Sequence, residues 1–172
     1  MQQSNADAPR PRRRWIGRAL FALLGLIVVG VPVVFLVGYV LLRGSLPALE
    51  GRVPVTGLEE EVKLLRDRQG MVRIEAASRA DSLFALGFAH AQDRFFQMDL
   101  LRRNAAGELS ALFGEATVSF DKRRRLHRMR TRAQAVLNEL DRRERRAVTS
   151  YALGVNAGLQ SLKRRPYPYF MI

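Results

Sequence analysis

Hydrophobic and polar positions follow several different rhythms along this chain. Ala19–Leu42 is a run of 24 residues without a charge. A helix of that length reaches about 36 Å, enough to cross a hydrocarbon core with some tilt. Gly44–Gly57 has no period and holds three Gly and two Pro, so it reads as an irregular linker. Val62–Asp67 and Met71–Ala76 then partly alternate around Arg68-Gln69-Gly70, which predicts a hairpin with Gly70 in a left-handed turn. Val62 and Leu64 should share one face of its first strand, and Val72, Ile74 and Ala76 one face of its second. Two strands alone are marginal in water, so this hairpin needs further sheet or helix to pack on.

Helical spacing takes over at Ser78-Arg-Ala-Asp81, where Ser78 can cap and the acid sits in the first turn. Phe84, Phe88, Ala91, Phe95 and Met98 fall on one stripe; Leu86, Ala89, Phe96 and Leu100 lie towards the other side. His90, Asp93, Arg94 and Gln97 form a polar strip between them. Such a helix needs partners on more than one face, and its ionisable groups need partners of their own. Gly87 permits a close backbone approach. Gly107 should break or bend the helix, with another turn or two over Glu108–Phe113 before Gly114. Lys122–Leu140 and Arg142–Leu162 predict two more helices. Leu126, Met129, Ala133, Val136 and Leu140 stripe the first; Val148, Tyr151 or Ala152, Val155, Leu159 and Leu162 stripe the second. The fold class is therefore α+β, mostly helical with one short hairpin, preceded by a transmembrane helix.

Charge divides the chain further. The net +13 is distributed as +4 over residues 1–18, −2 over 43–121 and +11 over 122–172. The first excess precedes the apolar run and should hold residues 1–18 in the cytoplasm, with 19–42 as a signal anchor. Trp15 and Tyr39 suit its two ends. A cleaved signal peptide would have a shorter apolar region and a small-x-small site, of which Ser45-Leu-Pro-Ala48 is a poor version. Residues 43–57 then form a linker and 58–172 a domain outside the cytoplasm, in the periplasm of a bacterium with two membranes. Cysteine is absent, which excludes disulfides and thiolate chemistry. The second excess includes eleven Lys or Arg between Lys122 and Arg146. It is a footprint that nucleic acid or anionic lipid could use, but the run lacks aromatics for base stacking and reads first as solvated helix faces. No nucleic acid partner is expected.

Candidate chemistry is sparse. His90 and Asp93 have the spacing of two metal ligands, but no acidic cluster joins them. A hydrogen-bonded network in which Asp93 or its neighbours pair with Arg94 and Gln97 is the plainer reading. Ser82 or Ser110 with His90 or His127 makes no nucleophile motif, since no Gly-x-Ser-x-Gly elbow is present. No catalytic, cofactor or metal residue is assigned.

One set of residues does carry a specific signature. Asp67-Arg-Gln-Gly70 is followed by Ala85-Leu-Gly-Phe-Ala-His-Ala-Gln-Asp-Arg-Phe-Phe-Gln-Met-Asp-Leu-Leu-Arg-Arg103. Gly107-Glu-Leu, Phe113-Gly114, Asp121 with Arg125, and Tyr151-Ala-Leu-Gly-Val-Asn-Ala157 complete it. Over about residues 58–170 this order and spacing resemble the start of the α subunit of the penicillin acylase family. That family includes penicillin, cephalosporin and acyl-homoserine lactone acylases. Gly70-Met-Val-Arg-Ile74 departs from the family's usual Gly-Val-Pro-His-Ile.

The resemblance implies an N-terminal-nucleophile (Ntn) hydrolase with an αββα core. It implies a precursor, or zymogen, cut into α and β chains. A Ser at the start of the β chain would attack the amide carbonyl, with its own α-amine as base. The nucleophile, the oxyanion groups, the acyl-pocket residues and the α-chain Glu for a structural calcium would all lie beyond residue 172. The expected partners are the β subunit of the same precursor, the bilayer through residues 19–42 and, in the full enzyme only, a small acyl amide. On this reading the 172 residues are an inactive N-terminal fragment of an amidohydrolase for linear amides. The alternative is a non-catalytic, truncated, membrane-tethered basic interaction fragment. Substrate choice among β-lactams, homoserine lactones and other amides would be set by the acyl-pocket residues.

Overall fold

A computed structural model describes residues 12–172, with only the backbone described for Arg12, Arg13, Arg14 and Ile16. Most of the expected cytoplasmic tail therefore lies outside the described residues. The chain divides into two compact units, Met1–Leu42 and Arg43–Ile172.

The described residues of the first unit form one helix, α1 (Arg12–Gly44), which ends with Arg43 and Gly44. Its Gly17–Gly44 portion is long and apolar enough to cross a membrane and has its side chains on the outside. Pro32 is accommodated inside it.

In the second unit, residues 45–62 run without regular helix or strand. They lead into β1 (Lys63–Arg66) and β2 (Val72–Glu75), which pair antiparallel with Leu64 opposite Ile74 and Arg66 opposite Val72. Burial alternates along both strands, so Leu64, Val72 and Ile74 share the inner face as the pattern predicts. The turn is built by Asp67, whose carboxylate accepts from the N–H groups of Gln69 and Met71, with Gly70 at φ 81°.

α2 (Arg79–Ala106) is the spine of the unit. Ser78 caps it by accepting from the Asp81 N–H at 3.0 Å. Gly107 ends it at φ 69°, with its N–H and that of Glu108 returned to the carbonyls of the last turn. α3 (Ser110–Phe113) and a short 3₁₀ turn follow.

The predicted helix over Lys122–Leu140 is corrected: it is two helices, α4 (Val118–Arg125) and α5 (Met129–Glu139). They meet at Arg128, whose φ of 50° is left-handed, a conformation that costs an L-residue about 1–2 kcal/mol. The reversal delivers Arg130 to Glu108, which accepts two hydrogen bonds from it. The stripe predicted for this segment is also corrected. Leu126 is 80% exposed and Val136 57% exposed, because no described residue covers them.

α6 (Arg142–Gln160) starts at a capping box. Asp141 accepts from the Glu144 N–H and the Glu144 carboxylate from the Asp141 N–H. Its packing face keeps Tyr151 and Val155 of the predicted stripe and departs from it at the first position. Val148 is exposed, and contact with α2 is made through Tyr151, Gly154, Val155 and Gly158. A Cβ on Gly87 would collide with the Tyr151 carbonyl, and one on Gly154 with the Phe84 carbonyl. The two backbones thus touch at a glycine crossing, and Phe84, Phe88, Ala89 and Ala91 close the core around it. The observed class is mostly helical with a two-stranded antiparallel sheet.

Candidate functional site

The polar residues that matter are three buried aspartates, and each ties a loop to a helix. Asp81 accepts from the Glu59 N–H at 2.9 Å and from the Ser78 hydroxyl at 2.9 Å, fixing the end of the linker on the start of α2. An ion pair between Arg146 and Glu59 adds a second tie, to α6. Asp121 on α4 is 2% exposed and accepts from the Leu109 and Ser110 N–H groups at 3.0 and 2.7 Å. One helical turn on, Arg125 donates to the Gly107 carbonyl. Together they lock the turn after α2. Burial works to raise the Asp121 pKa, but the Ser110 and Leu109 bonds and the Arg125 charge outweigh it. The carboxyl is held below the usual aspartate value.

Asp99, 6% exposed, lies in the second half of α2. It accepts from Arg102 at 2.6 Å, Arg103 at 2.8 Å and the Tyr169 hydroxyl at 2.7 Å. Tyr169 also stands edge-on to Phe96, with ring centroids 5.1 Å apart. This pins the segment Tyr167–Phe170 to α2. Burial again opposes ionisation of Asp99, and the Arg103, Tyr169 and Arg102 bonds prevail, lowering its pKa. Burial and the bond donated to Asp99 push the Tyr169 phenol far above its ordinary range. Glu108 is lowered first by its bonds from Arg130 and only partly raised back by burial.

The strip singled out in the sequence is arranged differently from its expected network. His90 lies 2.9 Å from the Tyr151 hydroxyl through Nδ1. Asp93 pairs with Arg66 of β1 at 2.9 Å rather than with Arg94. Arg94 and Gln97 are exposed. The cause is a break in α2 at Arg94, where φ is −146°, which re-phases the helix after Asp93. Ser82 donates to the Ser78 carbonyl, so its hydroxyl serves the helix start. His127 is exposed beyond α4. The recorded partners of His90 and Ser82 therefore join neither to the other. No group of three metal-ligating side chains occurs among the described residues. Asp81, Asp99 and Asp121 are each occupied by N–H, hydroxyl or guanidinium donors. These residues accordingly do not fit the calcium that the resemblance implies for the full-length enzymes.

Two open grooves flank the hairpin. One, of about 750 Å³, runs between the linker, β1 and α2, with Val53, Val55, Leu64, Phe84, Phe88 and Gln92 on its walls. The other, of about 740 Å³, lies between the hairpin turn and α2 beside Met71, Ile74, His90 and Asp93. Both have mixed walls: Glu59, Lys63 and Arg66 stand among the apolar residues of the first, and Arg66, Arg73, Asp93 and Arg94 among those of the second.

Sequence reasoning missed Asp99 and Asp81 as anchors. A signal existed for each: an acid three and four residues before paired arginines, and an acid three after a capping serine.

Comparisons with known proteins agree on where this framework belongs. The family model for penicillin amidase matches residues 61–172. The chain is 35% identical over 131 residues to penicillin acylase 2 proenzyme of Pseudomonas sp., covering 76% of this chain and 17% of that protein. It is 38% identical over 115 residues to acyl-homoserine lactone acylase QuiP of Pseudomonas aeruginosa, covering 67% and 14%. A solved thermostable penicillin G acylase from Alcaligenes faecalis superposes with a TM-score of 0.56 at 34% identity, over 62% of this chain and 57% of that one. The chain thus spans 14–17% of the length of these two curated relatives. The residues that cap, cross and lock α2 lie inside the matched region, and the chain belongs to the penicillin amidase family.

Proposed function

We propose that residues 58–172 form the opening part of the α subunit of an amidohydrolase that cleaves linear amides into a carboxylic acid and an amine. The observation that carries this reading is the family match over residues 61–172. The proenzyme name of one relative supports a precursor that is cut into two chains. On this reading the core completes an αββα Ntn-hydrolase fold with a β subunit. The nucleophilic Ser sits at the start of that subunit, outside these 172 residues. A structural calcium, where the assembled enzyme holds one, would be bound by carboxylates other than Asp81, Asp99 and Asp121. The role of the present residues is architectural: they supply a rigid helix pair and an open-edged hairpin on which the catalytic sheet is laid.

The same reading makes α1 a membrane anchor, with residues 43–172 on the extracytoplasmic side. Its length and lack of charge over Ala19–Leu42 support this. Mass spectrometry of the mature protein tests it: an intact N-terminus is expected, and a start near residue 49 would overturn it.

The enzymatic reading is tested by assaying hydrolysis of penicillin G and an acyl-homoserine lactone. The 172 residues alone should give no turnover. Fusion to the remaining portion of a family relative, joined at the matching position, should restore self-cleavage and amide hydrolysis. Turnover by the isolated 172 residues would falsify the placement of the nucleophile, and an uncut, inactive hybrid would count against the subunit role.

A further inference from the structure

α4 and α5 carry two features that have no partner among the described residues. The first is an apolar row. Met129, Ala133 and Val136 follow helical spacing on α5, Leu126 precedes them, and all four are exposed. The second is a field of cations. Lys122, Arg128 and Arg132 are exposed and make no ion pair among the described residues. Arg123 and Arg124 lie over the Phe120 ring, at 6.0 and 5.0 Å from its centroid, and pair with no carboxylate among those residues. Arg132 is three residues from Met129 and four from Val136, so it borders the apolar row directly.

Apolar side chains bordered by Arg and Lys on one face are what an interface of anionic headgroups and acyl chains binds. Guanidinium groups match phosphodiester oxygens in geometry as well as charge. Duplex nucleic acid would use the cations but leave Leu126, Met129 and Val136 in water, so the row favours lipid. We propose that the α4–α5 face docks on an anionic phospholipid surface, giving the domain a second, salt-sensitive membrane contact.

This inference rests on the anchoring of α1 for its strength, though not for its chemistry. A chain tethered through the irregular residues 45–62 would meet the bilayer at an effective concentration on the order of millimolar. A patch too weak to recruit a free protein would then be occupied. Docking would also hold the domain in one orientation on the membrane instead of leaving it to tumble on its linker.

The absence of cysteine makes the test direct, since any single Cys is a unique label site. The full chain carrying Val136→Cys with an environment-sensitive fluorophore is reconstituted in vesicles of phosphatidylcholine alone or mixed with phosphatidylglycerol. Ile27→Cys reports insertion of α1, and Gln69→Cys in the hairpin turn reports bulk water. The Val136 probe should shift to the blue in anionic vesicles only, and return in about 1 M salt, where screening acts over roughly 3 Å. Lys122→Glu/Arg128→Glu/Arg132→Glu should abolish the shift with the Ile27 signal unchanged. The charge-preserving set Lys122→Arg/Arg128→Lys/Arg132→Lys should keep it, separating charge from misfolding. An aqueous Val136 probe beside an inserted Ile27 probe overturns the docking alone. A shift equal in both lipids, or one that appears only when a companion acylase chain is added, also overturns it. If Ile27 stays in water, the anchor fails, and the Val136 probe still decides docking on added anionic vesicles.

Discussion

Arg128 is the one non-glycine residue with positive φ among the described residues, and its side chain forms no ion pair there. Its backbone position is imposed by the reversal that brings Arg130 onto Glu108. Arg128→Gly should therefore stabilise the domain by about 1 kcal/mol, read as a higher urea midpoint at unchanged slope. Asp99 is the opposite case. Its carboxylate is the common acceptor for Arg102, Arg103 and Tyr169. Asp99→Ala should cost about 3 kcal/mol, because it strands Arg103 and the Tyr169 hydroxyl. Near-ultraviolet circular dichroism should show the tyrosine signal collapsing with it. Retention of both stability and signal would remove Asp99 from its anchoring role.

At the scale of elements, the crossing of α2 on α6 governs the fold. Neither helix presents a wide aliphatic stripe to the other; they meet backbone to backbone at Gly87, Gly154 and Gly158. Gly154→Ala should drive the helices apart and cost about 3 kcal/mol or more, whereas Gly25→Ala in α1, which meets nothing within 4 Å, should be silent. Thermal melts of the two variants make the comparison. The hairpin was readable in advance because its period, its Asp67 turn and Gly70 are all local. The break between α4 and α5 was not, since no Gly or Pro marks it. Arg128 is left-handed there because its neighbour Arg130 is bound to Glu108, 22 residues away. The kink at Arg94 escaped for the same reason, and with it the true partner of Asp93, which is Arg66 on β1.

At the scale of the whole molecule, acid should act through the locked acids. Asp99, Asp121 and Glu108 all have folded pKa values below their ordinary ones. Their contribution is complete above the unfolded values near pH 4 and is lost as pH falls through the lower folded values. The unfolding midpoint of the domain should be flat from pH 7 to about 5 and drop steeply below 4. An Asp121→Asn variant should start lower and fall less steeply. A midpoint that rises on acidification would contradict the lowered values.

The sequence by itself determined the family, the apolar first helix, the hairpin with its register face, the cap at Ser78 and the break at Gly107. These are set by residue order, by period and by turn chemistry acting over a few residues. Only the tertiary structure decided which polar groups are buried, which stripes are covered and where a helix breaks. Asp81 and Asp99 have local partners visible in the sequence, Ser78 and the Arg102–Arg103 pair, but the Glu59 N–H and the Tyr169 hydroxyl reach them only through the fold. The stripe from Leu126 to Val136 has the spacing of a core face, yet it stays in solvent within this chain. Periodicity fixes which residues share a face, while burial depends on what is brought against that face, and that is settled by contacts far apart in the chain.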